Sequence, residues 1–285
     1  MHRFERKMIE TIVEDIYNVL DDNKHECEVP NLQLLGQDIM DAVGRSMARD
    51  NSLPPTIRAS GIGKACDRQQ WYDLNGFEGL PLQSNTRLMF LYGHVIEALL
   101  LFLAREAGHK VERQQEEVVV DGITGHIDAV IDGLVVDVKS TSSRSFEKFA
   151  NNELAGDDPF GYMKQIGFYM EGMSKRGGFL AMDKQFGHLA WLEIPKQASV
   201  VPRIQELKEM EKAGSMEPVR QVDYNPVAMG KSGNKTLCTE CKYCSHKLHC
   251  WTDANDGKGL RAFMYSNGPV FLTDVKSLPK VPEVS

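Results

Sequence analysis

The sequence predicts a mixed α/β fold whose sheet starts as an antiparallel meander. Three features carry that expectation: a long apolar stretch of helical character over residues 88–107, strand-like alternation around Asp132-Gly133, and a second alternating run, GGFLAMDKQFGHLAWLEIP, that follows a helical segment. Helix, strands, helix, strands, helix in 285 residues suits one elaborated domain or two small ones.

Residues 1–50 read as two helices joined by the polar DDNKHECEVPN, the first amphipathic and without a signal-peptide core. SLPP, residues 52–55, marks a boundary because tandem prolines stop helices. Residues 56–75 form a turn and short helix around Cys66. Residues 88–107 are apolar nearly all round, so a buried helix is expected there. Strands dominate 111–140, a helix covers 158–173, a hairpin covers 177–195, and an amphipathic helix covers 199–213. The cysteine-bearing segment and a tail of little periodicity complete the chain, giving regions 1–55, 56–255 and 256–285.

Hydrophobic residues at 42% and charged residues at 26% are a globular balance, not a disordered one. The longest apolar stretch, 88–104, is interrupted by His94 and Glu97 and is short for a bilayer, so the expectation is a soluble cytoplasmic protein with no membrane partner. A net charge of −7 excludes a chain that is basic all over. Yet residues 231–250 set Lys231, Lys235, Lys242 and Lys247 against Glu240 alone. Such a stripe can hold a phosphate backbone, and a solvated lysine-rich loop accounts for the same charges.

Within GHIDAVIDGLVVDVKST, residues 125–141, the Asp-Gly pair is a strong hairpin signal. Taken as the turn, it sets Ile131 against Leu134, Val130 against Val135, Ala129 against Val136, and Asp128 against Asp137. Side chains alternate with period two, so Asp128, Asp137 and Lys139 share a face. Opposed carboxylates repel unless a cation lies between them. Hard divalent ions such as Mg²⁺ or Mn²⁺ take oxygen ligands, and Lys139 could then orient a water or offset charge on a phosphate. His94 and Glu97, spaced i and i+3, place an acid on the preceding apolar helix, where it needs a partner. In YMKQIGFYM, Gln165 and Tyr169 are spaced i and i+4, with Tyr162 a turn earlier on the same face.

In that order, GHVIE (residues 93–97), GHID ending at Asp128, DVK (137–139) and QIGFY (165–169) resemble the motifs of the RecB-like branch of the PD-(D/E)XK nuclease superfamily, with Ile127 where the eponymous proline would stand. The resemblance implies a restriction-endonuclease-like core, a mixed central sheet flanked by helices. It also implies one or two Mg²⁺ or Mn²⁺ ions on the acids, with His94 and the Val138 carbonyl as further ligands. Lys139 would assist the attacking water, with Glu97, Gln165 and Tyr169 completing the catalytic set.

Of six cysteines, four lie within thirteen residues, at 238, 241, 244 and 250, and look like metal ligands, disulfides being a poor default without a secretion signal. Cys66 upstream with Cys241, Cys244 and Cys250 downstream resembles the iron–sulfur members of that branch, the AddB nuclease domain and the RecB-like CRISPR-associated nucleases of the fourth Cas family. There the cysteines hold a [4Fe–4S] cluster, in a subdomain expected here from 56–75 and 231–255 that joins N- and C-terminal segments as a clamp beside the DNA path. Cys238 departs from the pattern: with Cys241, Cys244 and Cys250 it offers a tetrahedral Zn²⁺ site. Cys27 reads as an ordinary thiol.

The function expected from all this is a metal-dependent deoxyribonuclease, an exonuclease on single-stranded DNA or DNA ends. The alternatives are a non-catalytic or zinc-dependent DNA-binding subunit of a repair, recombination or CRISPR adaptation complex, in a bacterial or phage-infected cell. A homo-oligomer or a protein partner is compatible with either.

Overall fold

Asp132 and Gly133 both adopt left-handed backbone angles, φ 52° and 95°, the pattern of a two-residue hairpin turn matched to strand twist. The Asp132 carboxylate fixes that turn by accepting from the Lys110 N–H at 3.0 Å and meeting His109 Nδ1 at 2.7 Å. In the computed structural model, which describes residues 7–48, 56–220 and 225–284, the turn joins two strands in the expected register: Ala129↔Val136, Val130↔Val135 and Ile131↔Leu134. The SLPP boundary lies outside the described residues.

Along the chain, helices α1 (Ile12–Asp21), α2 (Val29–Met47), α3 (Ala59–Ile62), α4 (Asp67–Leu74) and α5 (Ser84–Glu106) precede strands β1 (Val111–Glu112), β2 (Glu117–Val120), β3 (Ile123–His126), β4 (Ala129–Ile131) and β5 (Leu134–Thr141). Then come α6 (Ser143–Ala150), α7 (Tyr162–Met173), β6 (Gly177–Asp183), β7 (Leu189–Ile194) and α8 (Val201–Glu211). Strands β8 (Val227–Ala228) and β9 (Lys235–Thr236), helices α9 (Thr239–Tyr243), α10 (Lys247–Cys250) and α11 (Ala254–Gly257), and strands β10 (Arg261–Tyr265), β11 (Gly268–Asp274) and β12 (Glu283–Val284) complete it. The chain divides into two compact units, one from Met1–Leu53, Ile57–Gly63 and Gln83–Glu206, the other from Pro54–Thr56, Lys64–Leu82 and Leu207–Ser285.

The first unit is a mixed α/β fold with a central sheet of order β1-β4-β5-β6-β7 and β2-β3 as a separate pair, consistent with a restriction-endonuclease-like core. β4–β5 and β6–β7 are antiparallel, whereas β5–β6 is parallel from Val135↔Gly177 to Thr141↔Asp183. The parallel pair requires a crossover, which α6 and α7 supply. Ile12 and Ile16 of α1 and Ile96, Leu100 and Leu101 of α5 pack with Val136 and Val138 on one face. Strand alternation therefore gives the opposite face to Asp137 and Lys139. On that side the Phe179 ring meets Phe149 of α6 and Tyr162 of α7 at centroid distances of 5.5 and 6.3 Å.

Two expectations need correction here. α5 is not buried throughout: Leu88, Met89, Phe90 and Tyr92 are exposed by 46–66%, because only its C-terminal half faces the sheet. It is the one helix among the described residues long and apolar enough to cross a membrane, and that C-terminal half is spent on the core. Second, α7 starts at Tyr162, not at residue 158. Asp158 precedes it, and its carboxylate accepts from the Tyr162 and Met163 N–H groups at 2.9 and 2.8 Å, satisfying two of the first-turn donors.

Gly161, with φ 76°, lets α7 start against the end of α3: a Cβ built on Gly63 would lie 1.9 Å from the Gly161 carbonyl oxygen. Backbone cannot yield as a side chain can. Gly63→Ala is therefore expected to destabilise the protein by about 1–3 kcal/mol, read as a lower urea midpoint at unchanged slope.

The second unit is built on a five-stranded sheet of order β12-β10-β11-β9-β8. The tail, of little periodicity in sequence, contributes the β10–β11 hairpin, paired from Arg261↔Leu272 to Tyr265↔Gly268. Among its residues only Phe263, Leu272 and Thr273 are buried, so there is little apolar alternation to read. The Asn267-Gly268 pair beside the turn is the signal that could have marked it.

Candidate active site and cysteine centre

The β4–β5 ladder ends at Ala129↔Val136, and Asp128 stands one residue beyond it. Its Oδ2 accepts from the Val138 N–H at 2.6 Å, which holds the carboxylate against the strand that carries Asp137 and Lys139. Asp137 is 2% exposed, and its Oδ2 lies 2.5 Å from Lys139 Nζ. The geometry is that of an ion contact, for that oxygen accepts no well-directed hydrogen bond. Lys139 also donates to Gln165 Oε1 at 3.4 Å and lies 4.7 Å from the centre of the Tyr162 ring. Gln165 in turn donates to the Tyr169 hydroxyl at 3.4 Å. The i, i+4 spacing on α7 thus delivers Gln165 to the lysine and Tyr169 to Gln165.

α5 supplies the third acid. Glu97 Oε1 accepts from Gln115 Nε2 at 2.8 Å, and its Oε2 lies 3.6 Å from Nδ1 of the half-exposed His94. His94 is thus brought to Glu97, and Val138 enters the site through its N–H. Gln115, which sits in a left-handed conformation at φ 52° within the featureless ERQQEE, gave no signal in the sequence.

The electrostatics are those of a site short of positive charge. Burial pushes the Asp128 carboxyl well up, and the charges of Glu97 and Asp137 add to it. Burial raises Asp137 as well, against the pull of Lys139. Burial opposes the Lys139 ammonium, but Asp137 and Asp128 outweigh it and hold the lysine protonated. Burial pushes the Tyr169 hydroxyl up to about 12. The Lys139 ammonium faces Asp137 and Asp128, and Glu97 adds a third acid beside those two. A set of carboxylate oxygens that includes a buried Asp137 oxygen without a well-directed hydrogen bond fits a hard divalent cation.

In the second unit, Cys66, Cys241, Cys244 and Cys250 line one cleft together with Tyr72 and Trp251. Cys66 is the N-cap of α4, where its Sγ accepts from the Gln69 N–H at 3.4 Å. Cys241 lies in α9, Cys244 caps its end, and Cys250 closes α10. Cys238 is not on the cleft wall; it packs with Leu237, Cys241, Trp251 and Ala254. Burial raises all four lining thiols, Cys244 to about 11, and Cys66, Cys241 and Cys244 are raised further by the charge of Cys250. Arg220, which the sequence did not single out, donates to the Cys250 carbonyl at 2.8 Å and lies 3.9 Å from the Trp251 ring centre. Four convergent thiols that resist ionisation alone suit a thiophilic metal or an iron–sulfur cluster, which would stabilise the thiolates.

No family model matches the chain, and no curated protein matches it. Among solved structures it is similar to SSO0001, at TM-score 0.44 and 16% identity over 78% of this chain and 96% of that one. It is also similar to a phage-related exonuclease from Haemophilus somnus 129PT, at TM-score 0.39 and 16% identity over 56% and 93% of the two chains. An alkaline exonuclease from Laribacter hongkongensis matches at TM-score 0.38 and 15% identity over 55% and 91%. These are distant likenesses of shape.

Proposed function

We propose that the protein is a divalent-metal-dependent deoxyribonuclease acting on single-stranded DNA or DNA ends. The observation that carries this reading is the gathering of Asp137 and Asp128 about the ammonium of Lys139, with Glu97 as a third acid beside the two aspartates. Mg²⁺ or Mn²⁺ held by Asp128 and Asp137, with His94 and the Val138 carbonyl as further ligands, would polarise a phosphodiester and lower the pKa of a water. Lys139 supplies a fixed positive charge for the phosphate oxygens as charge develops on them. Gln165 and the Tyr162 ring hold that ammonium in place, and Gln115 orients the Glu97 carboxylate. Incubation with end-labelled DNA tests the reading: degradation with Mg²⁺ or Mn²⁺ and none with excess chelator is expected. DNA binding without metal-dependent cleavage would instead favour a non-catalytic end-binding subunit.

In the same reading Cys66, Cys241, Cys244 and Cys250 hold a [4Fe–4S] cluster, whose part is structural: it ties residue 66 to a segment far along the chain. Their shared cleft supports this set over Cys238 with the last three cysteines and zinc.

A further inference from the structure

We propose that His25, Cys27 and Glu106 form a binding site for a thiophilic divalent ion such as Zn²⁺, separate from both the acidic site and the cysteine cleft. One ligand atom from each residue, an imidazole nitrogen, the Cys27 Sγ and a carboxylate oxygen, lies within 4.8 Å of the other two. His25 and Cys27 come from the loop before α2, and Glu106 is the last residue of α5.

Glu106 is the unusual member. Its side chain has no exposed surface, and it sits at the C-terminal end of a helix, where the macrodipole disfavours a negative charge. Its contacts are His25 Nε2 at 2.7 Å, Asn31 Nδ2 at 2.7 Å and the Glu28 N–H at 3.3 Å. None of these is a permanent cation. A divalent ion beside the carboxylate would supply one.

The surroundings suit that ion. Zinc bonds of about 2.0–2.3 Å in a tetrahedron put ligand atoms roughly 3.3–3.6 Å apart, so the three need shift by only about 1 Å. Cys27 is exposed, which leaves a way in and room for water as a fourth ligand. Asn31 and the Glu28 N–H orient the carboxylate from behind. Thiolate and imidazole donors select zinc over magnesium or calcium. Glu106 lies nine residues beyond Glu97 on α5, about 13 Å along the axis, so this ion is remote from the acids. It would pin the entry of α2 to the end of α5.

The test compares the full-length, chelator-stripped protein with Cys27→Ala and His25→Ala at equal free Zn²⁺, counting bound zinc by elemental analysis and following Tm. Each variant is expected to hold one equivalent less than the parent and to lose part of the zinc-induced rise in Tm. Because Cys27 is exposed, Cys27→Ala should match the metal-free parent in Tm, which separates loss of the ion from loss of the fold. Equal zinc content in parent and both variants overturns the site. The count does not depend on nuclease activity and stands or falls apart from it.

Discussion

Asp128→Asn is expected to reduce metal-dependent DNA cleavage by about 100-fold or more while making the metal-free protein more stable. The two effects have one cause. Asparagine keeps an oxygen to accept from the Val138 N–H, which now meets Asp128 at 2.6 Å, so the end of β4 stays anchored. What disappears is a buried negative charge beside Glu97 and Asp137. Lys139 retains its contact with Asp137, so no cation is stranded. The pH dependence follows from the direction of the shift. The folded chain holds the Asp128 proton more tightly than the unfolded chain, whose carboxyl titrates at about 3.9. The stability from this group is therefore full below that value and is lost as pH rises through the raised folded value. Thermal melts of metal-free protein should show the parent falling behind Asp128→Asn as pH rises, with Mn²⁺ narrowing the gap by stabilising the parent alone. A variant that cleaves DNA as the parent does would sink the assignment of this site.

The central hairpin was legible because two independent signals agree there. The Asp132-Gly133 turn fixes the register, and the alternation around it decides which residues share a face with Lys139. Partners contributed from a distance left no such trace. Gln115 reaches Glu97, and Arg220 reaches the Cys250 carbonyl, only through the tertiary fold, and neither sits in a recognisable pattern. α5 shows the limit of apolar content as a guide to burial. Its residues 88–92 are as apolar as residues 100–104, but the sheet beneath it covers only the half that contains Ile96 and Leu101. Length, more than sequence, hides that difference: 23 residues of helix extend well past a narrow sheet. Spacing in the sequence singled out the cysteines as a cluster. Which four share a wall depends on α4 meeting α9 and α10 within one unit, and spacing alone left Cys238 as a competitor.

Cys66→Ser and Cys238→Ser are expected to behave oppositely, and the pair decides which thiols hold the metal. Cys66 has two parts to play. It caps α4 through its Sγ, which accepts from the Gln69 N–H, and it faces the cleft with Cys241, Cys244 and Cys250. Serine is among the best N-cap residues, so the substitution preserves the cap and removes only a soft ligand. Loss of bound iron, of acid-labile sulfide and of visible absorption is then attributable to the ligand. With the cluster gone, the long loop between Cys66 and the last cysteines is no longer closed in the unfolded ensemble. A loss of about 2–5 kcal/mol is expected, the size found when a small domain loses a covalent cross-link. Cys238→Ser should keep its iron, since Cys238, although packed with Cys241 as well as Leu237, Trp251 and Ala254, does not line the cleft, and it should show only the modest penalty of a buried hydroxyl. Zinc in place of iron, retained by Cys66→Ser and lost by Cys238→Ser, would mean that the tail binds a metal by itself and that Cys66 is a helix cap alone.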